Sequence, residues 1–247
     1  VTVAALKMAA PAPEAENAGC KMAGAESKVP DAESQVLVIA CGALAREILW
    51  LCESGGWRHF KLQCLPAKLH NRPQRIPEAV RRQIHAGRRR GHRRIFIAYG
   101  DCGSGGLLDR MIAEENAAAA DGEFKIERLP GAHCYEFYAG GELFQSLSEA
   151  EPGTFYLTDF LTRHFERLII QGLGVDRHPQ LAEIYFAHYK KMVYLSQRDD
   201  AQLRAAAASH AARLGLAFEH RACGYGELGL TLARIAPPQP QPQRPGA

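Results

Sequence analysis

Five short segments place a thiol or an imidazole just beyond an apolar run. They are Cys41-Gly42 after Val36 to Ala40, His70-Asn71 after Phe60 to Leu65, Asp101-Cys102-Gly103 after Ile95 to Tyr99, His133-Cys134-Tyr135 after Phe124 to Leu129, and Cys223-Gly224 after Ala217 to Arg221. Thiolates with imidazoles form a soft donor set suited to zinc, and thiolates alone suit an iron–sulfur cluster. No pair has zinc-finger spacing, so each ligand would come alone from its own loop, as in catalytic metal sites. The set predicts one zinc held by Cys41, His70, Cys102 and His133 or Cys134. An ion with three protein ligands keeps a position open, where it lowers the pKa of a bound thiol or water and generates a nucleophile. The competing reading is a [4Fe-4S] cluster on Cys41, Cys102 and Cys134 or Cys223, in a redox or radical-type enzyme or an electron carrier. Free cysteine is also among the most buried residue types, and that plain reading serves Cys52 and Cys64, which fall inside a helix and a strand.

Carboxylates and glycines near these loops extend the candidate site. Asp101, beside Cys102, and Asp159, which ends Tyr156-Leu157-Thr158, are the groups expected to orient a ligand or move a proton; a helix cap is the simpler role for Asp159. Gly103-Ser104-Gly105-Gly106 runs from a strand into a helix, and its amides could cradle an anionic cofactor. The segment lacks the Gly-Lys-Ser/Thr ending and the dinucleotide glycine spacing, so a tight connection is the alternative. Lys68, His70, Asn71 and Arg72 share a long polar loop of the kind that lines sites. Between Arg72 and Arg94 nine arginines face one acid, Glu78. With no interleaved aromatic residues and no known binding motif, that run predicts a solvated helix or one that docks an acidic partner protein, rather than a nucleic-acid surface.

The elements that must position these residues alternate regularly. Continuous apolar runs bounded by turn residues fit strands buried on both faces. Between them lie helical periods: Leu44 to Leu51 closing at Gly55-Gly56, Ile76 to Arg90 with Pro77 in its first turn, and Leu107 to Glu115. Beyond Gly131, strands are expected at Phe155 to Leu157, Met192 to Ser196 and Ala217 to Arg221. Helices are expected at Asp159 to Gln171, Pro179 to Tyr189 and Asp200 to Leu214. The order predicts an α/β fold with an open, mostly parallel sheet and helices on both faces, Rossmann-like and three-layered. In such a sheet the carboxyl ends of the strands line one crevice, where ligands bind. Strand order decides whether the five loops meet.

Composition bounds the rest. The chain has 247 residues, 47% hydrophobic and 23% charged, which suffices for one α/β domain over 35–236, with possible halves at 35–150 and 151–236. Residues 1–34 are rich in Ala, Glu, Ser and Pro, and 237–247 in Pro and Gln; both predict disordered tails. A chain that opens on Val1 makes Met8 and Met22 candidate starts. No apolar run approaches the ~18 to 20 residues of a membrane span. The formal charge of +3 implies no polyanionic partner. Seven cysteines without a signal peptide predict a reducing cytoplasm.

Several of these segments together carry a resemblance. Ala40-Cys41-Gly42-Ala43-Leu44, Leu65-Pro66-Ala67 with Leu69-His70-Asn71, Tyr99 to Gly103, Gly131 to Tyr135 and Phe155 to Phe160 resemble, in the same order, the bacterial and archaeal family catalogued as domain of unknown function 1638. The resemblance covers roughly Val36 to Gly226. It implies a link to corrinoid methyltransferase systems, and so to one-carbon or methyl transfer on a small-molecule substrate, by an enzyme or by a non-catalytic accessory or chaperone module for a methyltransferase partner. A thiolate-rich zinc site suits activation of a substrate thiol for methyl transfer, with zinc-hydroxide hydrolysis as the competing chemistry.

Overall fold

A computed structural model describes residues 35–119 and 125–236. The predicted tails, the start candidates Met8 and Met22, and Cys20 lie outside these residues. The chain alternates strands and helices as its apolar periods require. β1 (Val36–Cys41), β2 (Phe60–Leu65), β3 (Arg94–Ala98) and β4 (Lys125–Arg128) form one parallel sheet in the order β2-β1-β3-β4. Every residue of β1 is buried, the outcome expected of an apolar run with neighbours on both edges and helices on both faces. Each large aliphatic side chain so buried contributes about 1.5–3 kcal/mol.

Helices α1 (Ala45–Ser54), α2 (Ile76–Arg89) and α3 (Leu107–Ala117) make the crossovers. α2 and α3 pack together, and right-handed connections put them on the face opposite α1. The arginines of α2 are partly spent on this packing. Arg88 reaches Glu115 at 2.7 Å, Arg81 reaches it at 3.1 Å, and Arg81 also pairs with Glu114.

The strands after residue 150 form a second parallel sheet instead of extending the first. β5 (Thr154–Leu157), β6 (Lys191–Ser196) and β7 (Ala217–Ala222) are ordered β5-β6-β7. Between the sheets run α4 (Cys134–Ala139) and α5 (Gly141–Ala150), two helices that the sequence reading does not foresee. α6 (Asp159–Arg163) is followed by a wide π-type turn at Glu166–Gln171, so the single helix expected over Asp159 to Gln171 is broken. α7 (Leu181–Phe186) and α8 (Ala201–Arg213) precede β6 and β7. The last helix, α9 (Gly226–Ile235), returns to the first sheet. It buries Leu228, Leu232 and Ile235 in that core and packs against α4.

Candidate functional site

The chain moves from β1 outward to β2 and then crosses back to β3, so the strand order reverses between β1 and β3. In an open α/β sheet that reversal opens a crevice beyond the carboxyl ends of the two strands. Cys41 is the last residue of β1, and Cys102 lies four residues past the end of β3. His70 follows β2, in a 3-10 turn over Ala67–Asn71, and Cys134 opens α4 after β4. Across the sheet their order is therefore His70, Cys41, Cys102, Cys134.

Beyond the last ladder pair, the β3 and β4 loops keep running side by side. The Asp101 amide donates to the Gly131 carbonyl at 3.1 Å and the Cys102 amide to the Ala132 carbonyl at 2.8 Å. The approach is close enough that a Cβ at Gly100 would stand 3.2 Å from backbone atoms of Ala132 and His133. Cys102 then turns with φ 50°, the one positive φ at a non-glycine among the described residues. For an L-residue this costs about 1–2 kcal/mol. A residue held so at a strand-to-helix turn has its side chain presented at the sheet edge, as nucleophiles on such turns are.

His70 is locked in place. Its Nδ1 donates to the Ala67 carbonyl at 2.9 Å, with Cys41 Sγ 3.9 Å from the same nitrogen, and its ring stacks on Tyr99 with centroids 6.1 Å apart. Because Nδ1 is taken by a carbonyl, Nε2 is left for a proton or an ion. Burial pushes the imidazole toward neutrality, yet hydrogen bonding to Cys102 and Cys41, together with their charge, holds its pKa well above 6.5. Cys41 is buried and caps the following turn, accepting from the Ala43 amide at 3.4 Å. Tyr99, read from the sequence as the end of a strand, is fully buried, and its hydroxyl has the Cys41 thiol beside it and no oxygen or nitrogen partner among the described residues. Burial first, and then the charges of Cys41 and Cys102, keep it a neutral phenol. Its sequence signals are its place as the last apolar residue before Gly100-Asp101-Cys102 and its inclusion in the Tyr99 to Gly103 segment that carries the family resemblance.

The neighbouring glycine turn is closed by its own carboxylate. Asp101 accepts from Ser104 Oγ at 2.5 Å, from the Gly105 amide at 3.0 Å and from the Gly106 amide at 2.8 Å. Partial burial works against its charge, but these three donors outweigh it and hold the carboxyl below 3.8. The amides expected to cradle a cofactor at Gly105 and Gly106 are thus occupied, and Ser104 is buried. The exposed Gly103 amide makes no hydrogen bond among the described residues. Asp101 fixes the loop that carries Cys102.

The remaining candidates divide. Cys134 faces the cluster: burial, then the charges of Cys102 and Cys41, push its thiol well above 9 despite the amides of the α4 start. His133 packs against Tyr135 and Phe144, both with centroids 6.3 Å away, and burial lowers its pKa, so it stays neutral. Asp159 belongs to the edge of the second sheet. It is fully buried and accepts from Tyr194 Oη at 2.7 Å and the Gln197 amide at 3.0 Å, while Arg163 reaches its other oxygen at 3.2 Å. The capping side chain of α6 is Thr158. Cys223 Sγ donates to the Arg221 carbonyl at 3.6 Å, and burial raises its pKa. Burial likewise pushes the Cys52 thiol up to about 11, and Cys64 lies within β2.

The donor types at Cys41, His70, Cys102 and Cys134 suit zinc. Among the described residues, however, no group of three or more His, Cys, Asp or Glu side chains is arranged to hold an ion. No helix among them is long and apolar enough to cross a membrane.

One protein family, described as "Protein of unknown function (DUF1638)", matches residues 64–232. That span includes His70, Cys102, His133, Cys134 and Asp159; Cys41 precedes it. No curated protein and no solved structure matches the chain.

Proposed function

We propose that this chain, which belongs to the DUF1638 family, is an enzyme that uses Cys102 as a thiolate nucleophile with His70 as its imidazolium partner. The observation that carries the reading is His70 itself, anchored through Nδ1 to the Ala67 carbonyl with the Cys41 sulfur 3.9 Å from that nitrogen, and raised in pKa by Cys41 and by Cys102, a cysteine held at positive φ on a strand-to-helix turn. Such a pair keeps a cysteine ionised near neutral pH and sets a proton donor beside it.

The reaction class that fits is acyl transfer from an activated carbonyl. The Cys102 sulfur would form a bond to the carbonyl carbon, and the open Gly103 amide would donate to the developing oxyanion. Collapse would break the bond to the leaving group, which departs with the proton of His70 Nε2. Water or an acceptor amine or thiol, giving its proton back to His70, would then discharge the thioester. Asp101 supports the chemistry by holding the turn.

The test is anaerobic labelling with iodoacetamide, read by peptide mass spectrometry. Cys102 is expected to react fastest of the six cysteines among the described residues at pH 6.5, and His70→Ala to slow it. Equal labelling of Cys102 and Cys64 at that pH would overturn the reading.

A second reading is favoured by four soft donors that follow neighbouring strands, with Tyr99 buried beside Cys41, Cys102 and His70. In it, Cys41, His70, Cys102 and Cys134 turn inward to hold one zinc. Bound there, zinc would activate a substrate thiol for transfer of a methyl group, in line with the one-carbon association that the family resemblance implies. Elemental analysis of anaerobically purified chain separates the readings. One zinc per chain that is lost in Cys134→Ser supports the metal centre, about four irons support a cluster, and metal-free protein with a reactive Cys102 supports the nucleophile.

A further inference from the structure

A cleft of about 450 Å³ lies between α1, the end of α6 and the loops that follow β6 and β7, and neither Cys41 nor Cys102 lines it. One wall is Trp50 stacked on Tyr225, with centroids 4.9 Å apart and planes 16° apart. The guanidinium of Arg198 stands 5.6 Å from the Trp50 ring centroid. At the base is Glu47, which is 4% exposed. Its Oε1 faces Arg163 at 3.6 Å, and its Oε2 is buried with no hydrogen-bond partner among the described residues. The hydroxyl of Tyr225, in the same lining, is also buried without a partner among the described residues. Arg46 and Arg198 make no ion pair among the described residues, and Trp50 is left 37% exposed.

These features are costly without a ligand and complementary with one. Three guanidiniums, of Arg46, Arg163 and Arg198, line the cleft against two carboxylates, of Glu47 and Glu53, so the balance of charge favours an anion. Arg198 is held over an aromatic face, which fixes its orientation before an anion arrives. A buried carboxylate oxygen without a donor is the group that a ligand N–H or O–H would satisfy.

We propose that this cleft binds a small organic anion that also carries an amine or hydroxyl: Arg46 and Arg198 take its phosphate or carboxylate, Glu47 takes the donor, and Trp50 covers the carbon skeleton. Arg163 and Arg198 come from the second sheet and Glu47 and Trp50 from the first, so the ligand joins the two. The proposal goes beyond the thiol reading and does not depend on it.

The test is calorimetric titration of the full chain with O-phosphoserine, glycerol 3-phosphate and glutamate, with inorganic phosphate as the control. At least one organic anion is expected to bind saturably and about tenfold or more tighter than inorganic phosphate, a difference of about 1.4 kcal/mol. Arg198→Ala, a surface change, should weaken that binding at least about tenfold. Glu47→Gln should weaken the amine-bearing ligands more than glycerol 3-phosphate, and Cys102→Ser should leave binding unchanged. Saturable binding of none of the three, affinity equal to that of inorganic phosphate, or unchanged binding in Arg198→Ala would each overturn the proposal.

Discussion

Glu47 and Arg163 meet across the boundary between the two sheets, with the carboxylate on α1 and the guanidinium on α6 3.6 Å apart. The same guanidinium lies 3.2 Å from Asp159, so one cation balances two acids that are otherwise almost fully buried. Burial raises the Glu47 pKa, and Arg163 pulls it back down. Part of the fixed geometry between the halves therefore rests on one side chain.

Removing that cation leaves two buried carboxylates uncompensated. Arg163→Met should destabilise the fold by about 3 kcal/mol, the scale of breaking a buried pair by deleting one partner. Urea unfolding at pH 7 measures this, and a loss below about 0.5 kcal/mol, typical of an exposed pair, would contradict it.

The His70 pair gives a prediction with a definite pH window. The imidazole's folded pKa lies well above its unfolded value near 6.5. Its stabilising contribution is therefore complete below that pH and fades only as pH rises through the higher folded value. His70 therefore keeps its proton at pH 6.5. Alkylation of Cys102 at pH 6.5 should fall at least about tenfold in His70→Ala, because a cysteine without a cationic partner is only about 1% ionised there. The gap between the two proteins should close toward pH 9. A constant ratio from pH 6 to 9 would mean that His70 serves packing alone.

Much of this was legible before any coordinates. Phe60 to Leu65 and Met192 to Ser196 are strands where apolar runs say so, because runs bounded by turn residues have few other ways to be buried. The meeting of His70, Cys41 and Cys102 was only half legible: residue type and loop position mark each one, but their adjacency follows from the order β2-β1-β3, which is a long-range property. The split into two sheets was illegible for the same reason. α9 went unseen because Gly226 and Gly229 weaken its helical signal, and packing against α4 and the first core supplies what propensity lacks. The contacts of Asp101 are illegible in the sequence, because Ser104, Gly105 and Gly106, which donate to it, read as readily as an anion cradle.

Asp101 should reveal its loop-holding role through pH. Its folded pKa is below 3.8, so the stability it contributes is complete above the unfolded value and lost as pH falls through the folded one. Asp101→Asn should lower stability by about 1 kcal/mol at pH 7, the scale of a lost cap. That deficit should shrink as pH drops below about 4, as wild type loses the same charge. Paired urea titrations at pH 7 and pH 3 read the difference. A deficit that is unchanged between the two would show that the carboxylate's charge is not what holds the turn.

Gly100 ties the loop geometry to the chemistry most directly. A methyl group there would meet the Ala132 carbonyl oxygen and the His133 backbone at 3.2 Å, and these atoms cannot retreat without breaking the Asp101–Gly131 and Cys102–Ala132 hydrogen bonds that set the two loops side by side. Overpacking against backbone costs about 1–3 kcal/mol, so Gly100→Ala should unfold at correspondingly lower urea. The same displacement moves Cys102 relative to His70, and thiol alkylation at pH 6.5 should drop even at temperatures where the variant is fully folded. Cys64, on β2 two strands away, should label at its wild-type rate. If Cys102 keeps its reactivity while stability falls, the pairing of thiol and imidazole tolerates a shift in the β3 loop, and the close approach at Gly100 serves the fold alone.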